Sequence, residues 1–493
     1  MLRIVGIATG GNWKIQLSLE RVHTALAEVF QAACDDRNLQ RDSTIQVQST
    51  SHPQSLAQHQ KKTKNMIYYE TGSPEAALSA NDLKQGMLAA LVALGEREKV
   101  LAVPPDYTRL PSRSGELTEY CWEYLGDKLT DILPALGTHT PMTDGQISHM
   151  FGATPRDLFR VHDWRNDVVT LGTVPADFVK KVSGGACDFT WPAQVNKLLV
   201  EGDFDLILSI GQVVPHEVVG MANYNKNIFV GTGGTEGIHK SHYIGAVYGM
   251  ERMMGHADTP VRKVFNYASE HFANHLPIVY VLTVVGLNEA GDQQTYGLFI
   301  GDDFSVFDKA AKLSLQVNFN MLDKPLQKVV VWLDPTEFKS TWLGNKSVYR
   351  TRMALADGGE LIVLAPALVE FGEDREIDKL IRKYGYFGTP HTLEMVRDNE
   401  DLRNNLAAAA HLIHGSSEGR FSTTYCPGKG AGNLSREEIE SVGFNYGDFD
   451  AITARYNPET LKEGYNTMPD GEEVYYISSP ALGLWAFKDR FEY

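Results

Sequence analysis

The sequence of 493 residues contains only four cysteines, and no two of them form a CxxC pair. Such wide spacing argues against a thiolate zinc site or a disulfide framework and fits a reducing compartment. The chain also lacks an apolar run long enough to span a bilayer, because the longest run, near residues 276–287, fits a buried strand instead. The first residues, MLRIVGIATGGNW, predict a strand and a turn rather than a signal peptide. We therefore expect a cytoplasmic protein without a membrane partner.

Positive charge is also scarce in this chain. The 46 Lys and Arg residues are outnumbered by 62 Asp and Glu residues, which gives a formal net charge of −16. This balance argues against a nucleic-acid partner, because duplex binding depends on basic residues that neutralise phosphates. A small anionic substrate stays compatible with it, since a few convergent Arg and Lys residues can make one site locally positive.

Short apolar runs alternate with helical patterns along most of the chain, which predicts an α/β fold. The length exceeds what one core usually organises, so we expect two domains, each with a mostly parallel sheet flanked by helices. The predicted domains are residues 1–322 and 323–473, and a last strand near 474–493 returns to either sheet. The predicted strands are 100–103, 206–210, 279–285, 328–333, 361–365 and 474–478.

Several polar residues follow the ends of predicted strands, where ligands gather in open α/β sheets. Asp106 and Arg109 follow the first strand, and an arginine there suits a carboxylate because its fork is bidentate. His139, before a helix that starts at Thr143, and His216, after a strand end, are natural general acids or bases. For each of these residues an ordinary surface role remains the simpler interpretation.

The segment from Pro215 to Gly245, PHEVVGMANYNKNIFVGTGGTEGIHKSHYIG, combines six glycines with two lysines and three histidines. Lys226 is either a solvated charge or a covalent anchor for a cofactor. His239 and His242 have a spacing that can place two nitrogens on one metal. A second pair, His271 and His275, is predicted on the exposed face of a helix. The run CPGKGAGN at 426–433 lacks the P-loop pattern and predicts a loop or a lid.

Four ordered motifs resemble one family, the lactate racemase-like, nickel-pincer nucleotide-dependent racemases and epimerases of 2-hydroxy acids. PPDYTRLPS resembles the family's D-x-T-R-x-P-S, and LGTHTPMT resembles its T-G-x-H-R-P-x-T. The spacing from His216 through Gly220, Lys226 and Gly231 to His242 is similar to the family's H-x3-G-x5-K-x4-G segment and the histidine that follows it. TWLGNKSVYRTRMALADGGELIVLAP resembles a second-domain segment that carries an active-site lysine.

The resemblance implies a definite cofactor and definite roles. It implies a pyridinium-3,5-dithio mononucleotide pincer, supplied by cofactor-biosynthesis enzymes, that holds nickel and returns hydride to C2 of a small anionic 2-hydroxy acid through a 2-keto acid. The implied site residues are Lys226 as covalent anchor, His242 as nickel ligand, His139 and His216 as acid/base pair, Arg109 and Lys346 for the carboxylate and hydroxyl, Asp106 for the cofactor, and Trp342 for the substrate.

The chain departs from the family pattern in two places. The family's F-S-G-G-x-K is replaced by Met221-Ala-Asn-Tyr-Asn-Lys226, so the close backbone approach to the cofactor is either remade by Asn223 or Asn225 or lost. A tyrosine–glutamine pair is Trp342-Leu343 here, which indicates a substrate other than lactate. The alternative is a C2 epimerase of a sugar acid, an aldonate such as gluconate. More distant rivals are a divalent-metal hydrolase that uses His239 and His242, and a non-catalytic binding protein.

Overall fold

The computed structural model describes residues 6–9, 12–15, 66–288, 290–481 and 483–491. The chain forms two compact units, residues 1–62 and residues 63–493. In the first unit, Gly6–Thr9 pairs antiparallel with Asn12–Ile15, as the predicted first strand requires. Residues 10–11 of the predicted turn and residues 1–5 lie outside the described part. All elements discussed below belong to the second unit.

The first large sheet contains the strand ends at which the sequence predicts site residues. Three of its neighbouring pairs are parallel and two are antiparallel. Its six strands, in the order in which they lie side by side, are Ile67–Gly72, Gln293–Gly301, Ile278–Leu287, Leu206–Gln212, Val100–Val103 and Leu129–Ile132. The parallel pairs are adjacent, so their carboxyl ends meet at one edge of the sheet.

Both faces of this sheet are covered, which explains why its central strands are continuous apolar runs. Along Val100–Val103, all four residues are buried. Leu101 and Val103 pack into one hydrophobic cluster, while Val100 and Ala102 pack into another on the opposite face. The polar residues that follow this strand are therefore held at the end of a rigid, fully packed element.

The second large sheet is parallel except at one edge. Its Leu326–Trp332 strand has neighbours on both sides, and the strand Glu473–Ile477 lies in this sheet rather than in the first one. The strand order is Asn445–Tyr446, Ser422–Pro427, Leu355–Ala365, Leu326–Trp332, Glu473–Ile477 and Gly464–Thr467. The fold is thus α/β with two mostly parallel sheets, as predicted.

Three short strand pairs complete the strands of the second unit. They are Val168–Val174 with Trp191–Asn196, Pro215–His216 with Gly220–Met221, and Phe319–Leu322 with Leu484–Phe487. The last pair brings the end of the chain back to the segment that connects the two large sheets. Among the described residues, no helix combines the length and the apolar character needed to cross a membrane.

Helices flank both sheets. The helices between residues 80 and 318 are Ala80–Leu94, Ser114–Leu125, Asp144–Phe151, Ala176–Val182, Leu198–Glu201, Thr235–Tyr248, Met250–Met253, Pro260–His271 and Phe304–Asn318. The helices between residues 341 and 455 are Thr341–Gly344, Lys346–Thr351, Arg375–Tyr384, Thr389–Asp398, Glu400–Arg403, Leu406–His414, Arg436–Ser441 and Phe449–Arg455. Short 3₁₀ turns at Tyr107–Ser112, Gly126–Lys128, Arg156–Leu158 and Lys488–Arg490, and one π-helical turn at Asn227–Gly231, lie between them.

The structure corrects one local prediction. The helix Ser114–Leu125 stops where Gly126 adopts a positive φ, and Ile132 ends the strand that follows. The helix that carries His271 ends at that residue, so His275 lies beyond it and the two rings do not share a helical face. The helix predicted from Thr143 does begin there, with a capping box to Gln146.

Cysteine plays no covalent part in the described fold. Cys121, Cys187 and Cys426 are buried and free. Burial raises the pKa of the Cys187 thiol to about 12, so it stays protonated and unreactive at neutral pH. The remaining cysteine, Cys34, lies outside the described residues.

Candidate active site

A cavity of about 150 Å³ lies at the carboxyl ends of two neighbouring parallel strands, Val100–Val103 and Leu206–Gln212. Residues between 342 and 414 complete the lining of this cavity. The eight residues to which the family resemblance assigns a role all line this one cavity: Asp106, Arg109, His139, His216, Lys226, His242, Trp342 and Lys346.

His139 is held by Asp106, which lies just past the strand Val100–Val103. Its Nδ1 lies 2.7 Å from Oδ2 of Asp106, and Oδ1 accepts a second hydrogen bond of 2.6 Å from Thr108. Burial alone would raise the pKa of the Asp106 carboxyl, but the charge of and hydrogen bond from His139 outweigh it and hold the pKa below its usual value. An ionised carboxylate only accepts, so Nδ1 of His139 is the donor and Nε2 is left with a free lone pair.

The pKa of His139 responds to the same contact in the opposite direction. Burial would lower this pKa, yet the Asp106 charge and hydrogen bond hold it above the ordinary value for histidine. The neutral form of His139 therefore has its lone pair on Nε2, and the ring has a raised affinity for a second proton. That is the arrangement of a histidine base whose ring is oriented by a carboxylate.

His216 has the opposite proton arrangement. The Val218 N–H donates to its Nδ1 at 3.1 Å, so the neutral ring carries its proton on Nε2. Burial lowers the pKa of His216 well below the ordinary value. Oε2 of Glu217 lies 3.5 Å from the same Nδ1 and can accept a proton from it if the ring changes tautomer. The cavity thus contains one histidine oriented as a base and one oriented as a neutral donor.

The short strand pair that carries His216 depends on Gly220. This glycine has φ +82°, and a Cβ there would lie 2.1 Å from the carbonyl oxygen of His256. Any larger residue would push apart the turn that follows His216, since both the conformation and the space require glycine. The fixed spacing from His216 to Gly220 in the sequence motif has this structural cause.

Lys226 reaches the cavity from the turn that precedes the π-helical segment Asn227–Gly231. Burial, and secondarily the charge of Arg109, lower the pKa of its amine to about 8. The neutral, nucleophilic form of this amine is therefore far more populated at neutral pH than in an ordinary lysine, although the protonated form still predominates.

The two residues at the positions of the family's glycine pair keep a glycine-like backbone. Asn223 and Tyr224 have φ values of +62° and +57°, which only glycine and, less readily, asparagine adopt without strain. The Asn223 Oδ1 accepts from the Tyr224 N–H at 2.7 Å, and the Tyr224 ring packs against Tyr280 and Phe307 at centroid distances of 4.2 and 5.2 Å. Packing thus compensates for the missing glycines.

Only one of the two asparagines considered for cofactor contacts lines the cavity. Asn223 does, whereas Asn225 is fully buried behind it. The Asn225 amide donates to Asn266 at 2.7 Å, and its oxygen accepts a short hydrogen bond from the Arg262 guanidinium. The Asn225 side chain is thus committed to a buried polar network, and Asn223 is the asparagine of this turn that faces the cavity.

His242 has the ring orientation of a metal ligand. It lies on the helix Thr235–Tyr248, and its Nδ1 lies 2.7 Å from the carbonyl oxygen of Ile238. A carbonyl only accepts, so Nδ1–H donates and Nε2 keeps its lone pair. Burial lowers the pKa of His242 to about 4, which keeps the ring neutral at physiological pH.

His239, one turn earlier, differs from His242. Its ring packs against Trp164 at a centroid distance of 6.0 Å, and it does not line the cavity. Within the described residues, no group of three His, Cys, Asp or Glu side chains could hold a metal ion. The arrangement gives no support to a protein-only metal site built on His239 and His242.

Two cations face the cavity from opposite parts of the chain. Arg109 comes from the 3₁₀ turn Tyr107–Ser112, and Lys346 comes from the first turn of the helix Lys346–Thr351. Lys346 is only 6% exposed, and its Nζ lies 3.5 Å from Glu337. Burial lowers the pKa of Lys346 below its usual value, with the charge of Glu337 opposing that shift. Together these cations can bind a carboxylate and a neighbouring oxygen.

The helix of Lys346 also fixes the backbone next to His216. Arg350, four residues after Lys346, donates to the carbonyl oxygens of Gly483 at 2.9 Å and Pro215 at 3.2 Å. It is 1% exposed. One helix therefore positions both a cation of the cavity and the strand that carries a candidate acid/base histidine.

Sequence reasoning missed several residues of the cavity wall. They come from a region between 370 and 450 in which no clear helical or strand pattern was visible, or they carry no motif of their own. The missed polar and aromatic residues are Gln212, Glu217, Tyr349, His411 and His414. The apolar run LAAAAHLIH, which forms the helix Leu406–His414, was the available signal for the last two.

Comparisons with known proteins identify similar domains and folds. Residues 75–254 match the model of the lactate racemase N-terminal domain. A crystal structure of a protein from Thermotoga maritima is similar, with a TM-score of 0.72 and 25% identity over 85% of this chain and 100% of that one. The lactate racemase apoprotein from Thermoanaerobacterium thermosaccharolyticum shares the fold, with a TM-score of 0.57 and 17% identity over 84% of this chain and 90% of that one. No curated protein matches the chain.

Proposed function

Because residues 75–254 match the model of the lactate racemase N-terminal domain, we propose that the chain is an isomerase that inverts C2 of a 2-hydroxy carboxylic acid. The observation that carries this proposal is the meeting of His139, His216, Lys226 and His242 in one cavity that two cations also face. A racemase needs groups that move a proton at both sides of a planar intermediate, and a cationic subsite keeps the carboxylate in place while C2 changes configuration.

The residues present fit a nickel-pincer nucleotide. The Lys226 amine has a pKa of about 8 and is suited to a covalent bond, and the neutral His242 has an Nε2 lone pair free for nickel. Gln212 adds an Oε1 that is buried and has no hydrogen-bond partner among the described residues, and it lines the same cavity. When bound, this group would accept hydride from C2 and return it, which avoids removing a very weakly acidic C2 proton.

The protein's own residues would handle the proton and the charges. For one stereoisomer, Nε2 of His139 would take the hydroxyl proton while Asp106 stabilises the resulting imidazolium. His216 would donate a hydrogen bond from Nε2 to the same oxygen. For the other stereoisomer the two rings would exchange roles. His216 would then carry its proton on Nδ1, and Glu217 would accept a hydrogen bond from that N–H. Arg109 and Lys346 would hold the carboxylate and the hydroxyl oxygen.

The proposed substrate is not lactate. Trp342 lies on the cavity wall where the family's tyrosine was expected, and its ring packs on His411 at a centroid distance of 4.5 Å. This part of the wall is thus richer in aromatic and imidazole groups than a three-carbon acid needs. A longer acid, with an aldonate as the leading candidate, fits this wall better.

Intact mass and nickel analysis of the full chain, co-expressed with cofactor-making enzymes, tests the proposal. We expect one cofactor adduct on Lys226, about one nickel per chain, and interconversion of the C2 epimers of an added 2-hydroxy acid. Lys226→Ala should remove the adduct and the activity, whereas His242→Ala should keep the adduct and lose nickel. A Lys226→Ala protein that still inverts C2 would refute the covalent mechanism.

The same variants separate the proposal from a metal hydrolase. A hydrolase built on His239 and His242 would bind nickel or zinc without any adduct and would keep its activity after Lys226→Ala. His239→Ala gives the complementary measurement, because the proposed mechanism leaves His239 without a role. A large loss of activity in His239→Ala, with the adduct intact, would count against our assignment.

A further inference from the structure

The wall of the cavity formed by the helix Leu406–His414 carries two histidines, three residues apart, that the roles above do not use. Residues at this spacing lie on one face of a helix, and both His411 and His414 line the cavity. The helix packs against Thr235–Tyr248, the helix of His242, through Ala246, Ala410 and Ile413. Two rigid, packed helices thus fix the position of both imidazoles relative to the reacting end of the cavity.

Both rings contact residues that flank Lys346 in the chain. Trp342, four residues before Lys346, packs on His411 at 4.5 Å between ring centroids, and Tyr349, three residues after it, makes an edge contact with His414 at 6.2 Å. Both histidines thus line the cavity beside the segment that carries Lys346, the residue that would hold the carboxyl end of the substrate.

His414 carries an unpaired buried atom. Its Nε2 is buried and has no hydrogen-bond partner among the described residues, and the residue, which lines the cavity, is only 3% exposed. A buried polar nitrogen without a partner is destabilising, so proteins keep one mainly where a ligand or a water completes it. His411 differs, because its Nε2 is already bonded to the Tyr386 hydroxyl at 2.9 Å.

The charge of this wall selects the chemistry of the ligand. Burial lowers the pKa of His411 and of His414 to about 3, so both rings are neutral at physiological pH. A neutral imidazole both donates and accepts, which matches a hydroxyl group. The cation that acts on His414, Arg352, is already paired with Glu251 at 2.8 Å, and the ionised Glu217 nearby would repel a second carboxylate. A purely apolar tail would leave Nε2 of His414 unpaired.

We propose that His414 and His411 form a subsite that hydrogen-bonds hydroxyl groups of the substrate beyond C2. The subsite makes the substrate a monocarboxylic polyhydroxy acid rather than a dicarboxylic, aliphatic or aromatic 2-hydroxy acid. This inference rests on the proposed function for the orientation of the substrate, with its carboxylate at Arg109 and Lys346.

Calorimetric binding to the full, cofactor-loaded chain tests the subsite. The probes are gluconate and 2-hydroxyhexanoate, which have the same carbon chain with and without hydroxyl groups beyond C2. We expect gluconate to bind at least about tenfold more tightly, since a site built to bond hydroxyl groups rejects the analogue without them. Equal binding, or tighter binding of 2-hydroxyhexanoate, would overturn the proposal. Tighter binding of malate than of gluconate would overturn it as well.

Substitutions assign the preference to the subsite. His414→Phe keeps the ring volume but removes both nitrogens, and it should abolish the preference for gluconate while leaving 2-hydroxyhexanoate binding unchanged. His271→Phe, an exposed histidine at the end of another helix, is the matched control and should change neither. If His414→Phe keeps the preference, or if intact mass shows that it loses the cofactor, the histidine does not bind the substrate and the proposal fails.

The two proposals can fail separately in this experiment. If loaded wild-type protein prefers gluconate through His414 but inverts no 2-hydroxy acid at C2, the proposed function fails and the subsite stands. If it inverts C2 of 2-hydroxyhexanoate as efficiently as that of gluconate, the proposed function stands and the subsite is refuted.

Discussion

Nδ1 of His139 and Oδ2 of Asp106 lie 2.7 Å apart at the mouth of the cavity, and the carboxylate that accepts this bond is only 5% exposed. The bond leaves Nε2 of His139 unprotonated and raises the pKa of the ring. On the other histidine, the Val218 amide donates to Nδ1 and leaves the proton on Nε2. The two proposed acid/base groups therefore start from opposite proton arrangements, and each arrangement is set by one neighbouring group.

Asp106→Asn should slow C2 inversion by a factor on the order of 10² to 10⁴, because the ring loses the carboxylate that orients it and stabilises its charge. The pH profile should also move. For the stereoisomer whose hydroxyl His139 deprotonates, activity requires neutral His139, so the rate rises with pH through the pKa of that ring. Without the Asp106 charge this pKa falls, and the rising limb of the profile shifts to lower pH. A rising limb at the same pH in Asp106→Asn as in the wild type would contradict the role of Asp106.

Lys226 should react with amine reagents at lower pH than a typical lysine. Its pKa of about 8 means that the amine is mostly protonated below pH 7 and mostly neutral above pH 9. We expect pulse acetylation of the cofactor-free chain, followed by peptide mapping, to give a midpoint near pH 8 at this residue. Lys312, which is 73% exposed, is the reference lysine. A midpoint at Lys226 no lower than that at Lys312 would count against the effect of burial.

The left-handed backbone at positions 223 and 224 predicts different changes in the free energy of unfolding for two glycine substitutions. Asn223→Gly should change the free energy of unfolding by less than about 1 kcal/mol, because glycine adopts this φ without strain. Tyr224→Gly relieves similar strain but removes the aromatic packing against Tyr280 and Phe307, so it should destabilise by about 2–4 kcal/mol. Chemical denaturation measures both, and a stabilising Tyr224→Gly would show that strain outweighs packing.

Arg350→Met should damage both stability and catalysis. The substitution leaves the carbonyl oxygens of Pro215 and Gly483 without their donors, so we expect a loss on the order of 3 kcal/mol in the free energy of unfolding. Since Pro215 precedes His216, kcat should fall more than substrate affinity. Arg397→Met, which alters a side chain that is 69% exposed, is the control and should do neither. An unchanged kcat in a folded Arg350→Met protein would contradict the link to His216.

Much of the architecture could be predicted from local patterns. The strand at 100–103 was placed correctly, because buried parallel strands are continuous apolar runs. The bounds predicted for the strands near 206, 279, 328 and 474 differ by no more than two residues from the observed ones, whereas the strand predicted from 361 begins earlier, at Leu355. Thr143 was recognisable as a helix start from its capping pattern. The helix Leu406–His414 was missed, since its alanine-rich run lacks the amphipathic period that marks a surface helix.

By itself the sequence determined which chemical groups are available and at what spacing, and through its motifs it indicated Asp106, Arg109, His139, His216, Lys226, His242, Trp342 and Lys346. Asp106 and Lys346, for example, are more than 200 positions apart in the sequence, and local patterns carry no information on where two such segments meet. Only the tertiary structure brought them to one cavity, chose the protonated nitrogen of each histidine through a neighbouring donor or acceptor, and added His411 and His414. The left-handed turn at Asn223 and Tyr224 was likewise decided by packing, because neither residue favours that conformation as glycine does.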